Sequence, residues 1–281
     1  ALEAKKIKNI IVAQNKIDLV TKEQALKNYQ EIKEFLKGTD YENSPIIPIS
    51  AQQEINLDKI MEEICKLEIT KKDENSNPIF LIARSFDVNK PGSLINDIHG
   101  GILGGILKQG KLKVGDEIEI KPGITIKKGN QQNYQTIYTK IVSIHKGKIN
   151  VKEVKPGASI SLETELDPHL TKADFLSGCI CGLKNKLPEI TYRIKMNYEL
   201  FKEVLGIQEH KEVSPIKIKE MLMLSVQTTI TVGIVEKIKG KTMELSLNVP
   251  IISLEGENVG IARNINNHWR LIGWGNLTNN G

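Results

Sequence analysis

Apolar positions along the first seventy residues follow two rhythms. Ile7 to Ala13 is a short, β-branched run without polar alternation, the pattern of a strand covered on both faces. Behind it Ala25, Tyr29, Ile32 and Leu36 recur at intervals of four, three and four, which lays one apolar stripe along a helix. Thr21 predicts the start of that helix, with Gln24 three residues on as its capping-box partner, and Gly38 predicts its end. Ile46 to Ile49 repeats the strand pattern. Leu57, Ile60, Met61, Ile64 and Leu67 then repeat the helical one, with Asn56 as the cap. The order β-α-β-α predicts an α/β unit with parallel strands over residues 1–70.

The texture changes after that. Residues 71–78, KKDENSNP, carry charge, Asn, Ser and Pro without an apolar side chain and predict a linker. From Ile79 onward glycines recur too closely for helices of ordinary length, and short β-runs such as Ile79 to Phe86, Glu117 to Ile120, Thr136 to Ile144 and Ala158 to Leu162 are bounded by Gly and Pro-Gly turns. This predicts a small β-barrel over residues 79–188. A second β-rich unit follows over residues 189–281. Its expected strands are Tyr192 to Tyr198, Met221 to Val235, Thr242 to Leu247 and Asn258 to Ala262, ending near Trp269 to Trp274.

Composition narrows the class. Apolar residues make up 40% and charged residues 26%, an ordinary globular balance. No apolar run approaches the roughly 18 residues that cross a bilayer, so a soluble, cytoplasmic protein is expected, with no membrane partner. The polar lead Ala1 to Lys8 runs almost at once into a strand and reads as a cut. The three cysteines, Cys65, Cys179 and Cys181, lack a disulfide framework, and strand alternation would put Cys179 and Cys181 on one packed face. None of His99, His145, His169, His210 or His268 stands in a nucleophile-activating or metal-binding pattern, so no catalytic residue and no metal site is expected here. A net charge of +5 tilts the chain toward polyanions, while the even spread of lysines equally suits a solvated surface.

The chemical signal lies at the first strand's carboxyl end, where open α/β sheets bind ligands. Asn15, Lys16 and Asp18 form an NKxD motif there. Guanine presents two adjacent N–H donors that one carboxylate, Asp18, can accept together, and adenine cannot match them. Each charge-assisted hydrogen bond contributes about 1.5–3 kcal/mol. Asn15 can serve the opposite ring edge and tie neighbouring loops, and the Lys16 stem can lie across the ring. After the next strand come Ser50, Ala51 and Gln52, where a small residue lets a backbone N–H approach the guanine carbonyl oxygen. The sequence contains no G-x-x-x-x-G-K-[ST] loop to cradle phosphates and no upstream Asp-x-x-Gly segment to hold magnesium.

NKID and SAQ followed by two barrels resemble the translation-factor GTPases. Within that group SFDVNKPG at Ser85 to Gly92, GGILGG at Gly100 to Gly105, VGDEIEIKPG at Val114 to Gly123 and HWRLIGWG at His268 to Gly275 resemble the gamma subunits of initiation factor 2, nearer the eukaryotic than the archaeal form. The resemblance implies an α/β partial P-loop GTPase domain followed by two β-barrels. It implies a translation initiation role: an intact GTP hydrolase, using GTP/GDP with Mg2+, that joins alpha and beta subunits and carries initiator methionyl-tRNA to the small ribosomal subunit. Barrel two is expected to dock alpha and the GTPase domain beta, with the tRNA acceptor end between that domain and barrel two. Asn15, Lys16, Asp18, Ser50, Ala51 and Gln52 carry over as the guanine contacts. This chain alone, without the phosphate loop, is expected to be inactive and to hold no cofactor. Family members present their C-terminal end to an assembly chaperone, and the tail from Gly275 to Gly281 is short for that contact. Relatives often carry a proline-rich join where this chain has KKDENSNP. Two alternatives remain open: an elongation factor of the Tu or selenocysteine-specific type, against which the stretch Ser93 to Gly101 speaks, and a nucleotide-independent scaffold or RNA-binding module.

Overall fold

The computed structural model describes residues 7–68, 71–128, 131–204 and 212–278, and its contacts divide the chain into two units, Ala1–Lys71 and Lys72–Gly281. In the first unit β1 (Val12–Gln14) pairs in parallel with β2 (Ile46–Pro48), Val12 opposite Ile46, and each strand leads to a helix, α1 (Lys22–Leu36) and α2 (Leu57–Cys65). The expected β-α-β-α order with parallel strands is what forms. Thr21 and Gln24 complete a reciprocal capping box: Gln24 N donates to Thr21 Oγ1 at 3.3 Å, and Thr21 N donates to Gln24 Oε1 at 3.0 Å. At the other end Gly38 takes a left-handed φ of 74°. The α1 stripe faces inward, with Leu36 buried and Ala25, Tyr29 and Ile32 half-buried.

Three local details differ from the pattern reading. The first strand is shorter than Ile7 to Ala13, because β2, its partner among the described residues, is only three residues long. Ile7 is held instead through its carbonyl, which accepts from Tyr41 Oη at 2.7 Å. Asn56 stands at the head of α2 without capping it; its backbone is left-handed, φ 57°, and its Nδ2 donates to Pro48 O at 2.8 Å, fastening α2 to β2. Leu57 and Ile60 of the α2 stripe are half-buried, but Met61, Ile64 and Leu67 stay exposed, since a two-stranded sheet is too narrow to cover them.

The second unit holds both barrels. Barrel two consists of β3 (Ile79–Phe86), β4 (Ile102–Gln109), β5 (Leu112–Lys113), β6 (Glu117–Lys128), β7 (Gln131–Lys146), β8 (Ile149–Val151), β9 (Glu153–Val154), β10 (Ser159–Thr164) and β11 (Ile180–Leu183). The ring runs β10-β4-β3-β11-β6-β7, and β7 pairs back to β10, so six antiparallel strands close; β8 lies outside β7, and β5 and β9 make a separate pair. Closure removes the exposed edges that an open sheet would leave. Phe80, Ile82, Leu103, Leu107, Ile118 and Leu162 fill its interior. Gly105 is needed where β4 crosses β3, since a Cβ there would overlap the Leu81 carbonyl. Cys179 and Cys181 both face this core as free thiols, and burial raises the Cys179 thiol to about 11 and pushes Cys181 up as well.

Barrel three closes in the order β12-β15-β14-β13-β16-β17, from β12 (Ile190–Leu200), β13 (Met221–Val226), β14 (Thr229–Lys239), β15 (Thr242–Ile252), β16 (Asn258–Ile265) and β17 (His268–Thr278). The run Met221 to Val235, expected as one strand, is a hairpin: Gln227, with φ 54°, and Thr228 turn the chain so that Val226 opposes Thr229.

The barrels share a third apolar cluster of Ile79, Ile180, Leu187 and Ile252. The join between them is clamped by two buried charges. Glu119 Oε1 accepts from the amides of Lys186 at 2.9 Å and Leu187 at 2.7 Å. Lys121 Nζ donates to the carbonyls of Leu187 and Pro188, each at 3.3 Å, and to Glu189 Oε1 at 3.1 Å. Thr229 Oγ1 donates to Gly178 O at 2.5 Å, and Lys108 pairs with Glu257. The stretch before β3 is tied down too: Glu74 pairs with Lys155 at 2.8 Å, and Asp73 O accepts from Gly110 N at 2.8 Å. No helix among the described residues is long and apolar enough to cross a membrane.

Candidate functional site

Parallel pairing of β1 with β2 brings two loops out of the same end of the sheet. The backbone zips them together first: Ile49 N donates to Gln14 O at 2.8 Å, and Ile17 N donates to Ile49 O at 3.2 Å. Asn15 then joins them through one side-chain oxygen. Its Oδ1 accepts from Lys16 N at 2.8 Å on its own loop and from Ala51 N at 3.1 Å on the other. Lys16 takes a left-handed backbone, φ 68°, and opens a short 3-10 turn, Ile17–Leu19, from which Asp18 projects. The Asp18 carboxylate is exposed and has no partner among the described residues.

The second loop is closed on itself. Ser50 is fully buried, its Oγ accepts from Gln53 N at 3.1 Å, and its backbone exchanges both hydrogen bonds with Ile55. Ala51 and Gln52 sit at the exposed crest of that loop. Asn15, Lys16, Ala51 and Gln52 therefore share one solvent-facing rim, while Ser50 supports it from below. Asn15 performs the tying role that its position suggests. The Ala51 amide, directed by the sequence reading toward a ring carbonyl, already donates to Asn15 Oδ1, so a ring oxygen would share that hydrogen.

Gln14 was not singled out by its sequence. It is buried; its Nε2 donates to Ala25 O at 2.8 Å and to Asn28 Oδ1 at 3.1 Å, fixing the end of β1 against α1, while its Oε1 has no partner among the described residues. Beside it lies a cavity of about 420 Å3 walled by Ile17, Val20, Ala25, Tyr29 and Pro48. Neither Asp18 nor Ala51 lines that cavity. A glutamine one residue before an NKxD motif carries no signal of this anchoring, which depends on where α1 packs.

Elsewhere, two of the five histidines are linked. His99 Nδ1 lies 2.7 Å from Glu163 Oε1, Ser143 Oγ donates to Glu163 Oε2 at 2.6 Å, and the same hydroxyl lies 3.0 Å from His145 Nε2. Burial pushes the Glu163 carboxyl up, but the hydrogen bonds from Ser143 and His99 outweigh it and leave the group below its usual range. The cluster latches the loop carrying His99 onto β7 and β10. No three His, Cys, Asp or Glu side chains gather into a metal site among the described residues. His210 lies outside them.

Comparison with known proteins adds the family context. A family model described as initiation factor eIF2 gamma, C terminal, matches residues 192–277, and one described as elongation factor Tu domain 2 matches residues 100–181. Translation initiation factor 2 subunit gamma of Thermoplasma volcanium is 48% identical over 276 residues, which cover 98% of this chain and 67% of that protein. The protein of the same name from Methanocaldococcus jannaschii is 44% identical over 278 residues, 99% of this chain and 68% of its own. Among solved structures, a bacterial selenocysteine-specific elongation factor superposes with a TM-score of 0.76 at 19% identity, covering 98% of this chain and 40% of that one. Elongation factor SelB from Methanococcus maripaludis gives 0.75 at 21%, covering 99% and 60%. The chain thus spans about two thirds of the length of the curated relatives it matches.

Proposed function

The chain belongs to the gamma-subunit family of translation initiation factor 2, a family of translation-factor GTPases, and on that premise we propose that its first unit reads the guanine of GTP or GDP. The observation that carries this is the rim itself: an unpartnered carboxylate, Asp18, on a loop bound through Asn15 to the loop of Ala51. Asp18 accepts the two adjacent N–H donors of the ring, worth about 1.5–3 kcal/mol each in charge-assisted form. The Lys16 stem covers one ring face, and the Ala51 amide hydrogen is shared between Asn15 and the ring carbonyl. The bound nucleotide supplies the phosphates, with Mg2+, on which hydrolysis takes place, and this chain's residues hold and select its base.

The intact protein hydrolyses GTP, joins alpha and beta subunits, and carries initiator methionyl-tRNA to the small ribosomal subunit, with barrel two facing alpha. The present chain, having no phosphate-cradling loop in its sequence, binds nucleotide too weakly to turn it over. Calorimetry with GTP on this chain tests that: submicromolar affinity would refute it. For base recognition the decisive experiment is Asp18→Asn in protein of the relatives' full length. The variant is expected to lose roughly tenfold to a hundredfold in GTP affinity, at about 1.4 kcal/mol per decade, and to prefer xanthosine triphosphate, whose ring carries a carbonyl where guanine has an amine. Unchanged guanine preference would remove Asp18 from the site.

A further inference from the structure

The strands of barrel three differ in what they show to solvent. On β12 and β15 apolar side chains fill the core while Lys195, Asn197, Thr242 and Glu244 face out, the alternation of strands with one wet side. By contrast β13 reads Met-Leu-Met-Leu-Ser-Val, and β14 carries Ile230, Val232 and Ile234 between the residues that face the interior. Near-continuous apolar runs of this kind belong to strands covered on both faces.

Register turns these runs into one surface. Val232 stands opposite Met223, Met223 opposite Ala262 on β16, and Ala262 opposite Leu271 on β17. The next row runs Ile230, Ser225, Gly260 and Trp274, and on the other side Ile234 stands opposite Met221. These positions face outward, because Leu222, Leu224, Val259, Ile261 and Ile272 between them fill the core. Met221 is 55% exposed, Ile230 65% and Ile234 42%. Together with half-buried Met223, Val232, Leu271 and Trp274 they leave on the order of 500 Å2 of apolar surface open, near the top of what a monomer ordinarily shows. A standard interface takes about 800 Å2 from each partner, and about two thirds of a homodimer interface is apolar, so the patch has the area that a second copy requires.

The face is level as well as apolar. Ala262 is buried beneath its neighbours although it stands in an outward row, and Leu271 Cδ1 and Ser225 Cβ would each lie 3.6 Å from a Cβ placed on Gly260. A helix seeks a groove, whereas a level apolar sheet is matched by another sheet packed across it. No charged side chain stands in these rows. Of the flanking charges Glu220 and Arg263 neutralise each other, while Glu236 at the β14 edge and Arg270 at the β17 edge form no ion pair among the described residues.

We propose that this face of barrel three joins two copies of the chain, sheet on sheet, about a two-fold axis that runs between β13 and β16 and parallel to them. That axis lays β13 of each copy over β16 of the other and β14 over β17. The long, adaptable side chains of Met221 and Met223 then rest on the small residues of the opposing β16. Glu236 of each copy approaches Arg270 of the other, so the opposite charges at the two edges complement each other twice. The inference is independent of guanine recognition, which uses residues of the first unit.

The test is sedimentation velocity on the full chain, without nucleotide, from about 1 to about 200 μM, the weak end of what a standard-size interface gives. The mass is expected to rise from that of one chain toward that of two. Met221→Lys with Ile234→Lys, both at exposed positions, should weaken self-association at least tenfold. Ile149→Lys, which charges an exposed apolar position on barrel two, serves as the control and should leave it unchanged. Glu236→Arg and Arg270→Glu should each weaken it severalfold, and the two combined should restore it, because the charges then exchange places across the axis. Circular dichroism melts verify that each variant folds. Association lost in the lysine pair, kept in the control and recovered in the charge exchange supports the assignment. A chain that stays monomeric at every concentration, association undiminished in the lysine pair, or a charge exchange without recovery overturns it.

Discussion

Asn15 illustrates how much one side chain can organise. A single oxygen receives amides from two loops that lie 36 residues apart. Asn15→Ala leaves both amides without that acceptor in a partly solvated place, for an expected cost of about 1 kcal/mol. Faster hydrogen exchange at Lys16 and Ala51, together with a roughly tenfold fall in guanine nucleotide affinity in protein of the relatives' length, is the expected result. Glu163 makes a different prediction. Its carboxyl is held below the usual range in the fold, so the folded chain binds fewer protons there than the unfolded chain as pH falls. Its contribution is therefore complete above the unfolded value of about 4.3 and is lost as pH drops through the lower folded value. Melting temperatures of the chain and of Glu163→Gln, followed from pH 6 to pH 3, should converge in acid. A constant gap would show that the carboxyl does not titrate as described. Motif reading singled out Asn15 and Asp18 as candidates because the chemistry of a guanine edge calls for those residue types in order. It passed over Gln14, whose anchoring appears only once α1 has packed.

Among the elements, α1 was legible to its ends because everything that defines it is local. Thr21 and Gln24 are three residues apart and cap each other. Thr21→Ala should lower stability by about 1 kcal/mol in denaturant unfolding, as loss of a capping oxygen does in other helices. The same logic failed for α2. Asn56 has the residue type of a cap, yet its amide goes to Pro48 O, a partner supplied by the neighbouring strand. The hairpin at Gln227 was hidden for a related reason: Met221 to Val235 reads as one β-run, and the turn becomes visible only when β13 and β14 are seen to pair.

For the second unit as a whole, the join between the barrels decides behaviour. Ile79, Ile180, Leu187 and Ile252 give it an apolar centre, and Glu119 with Lys121 holds the chain that crosses it. Glu119→Ala leaves the amides of Lys186 and Leu187 without their carboxylate acceptor, at a cost of about 1–3 kcal/mol each, while Lys121 keeps Glu189 and two carbonyls. Calorimetry is expected to show the barrels of the parent chain melting together and to resolve two transitions in the variant; a single unshifted transition would mean that the clamp is idle. Features readable from the chain alone were local or periodic: the β-α-β-α order, the succession of two barrels, the α1 caps and the chemical type of the NKID and SAQ loops. These follow from neighbours within about one helical turn or one strand. The meeting of distant residues was left to the fold: Asn15 with Ala51, and Glu119 with the interbarrel join. Such meetings are set by strand register, and register is fixed when a barrel closes over its core, a condition on the whole chain that no local window contains.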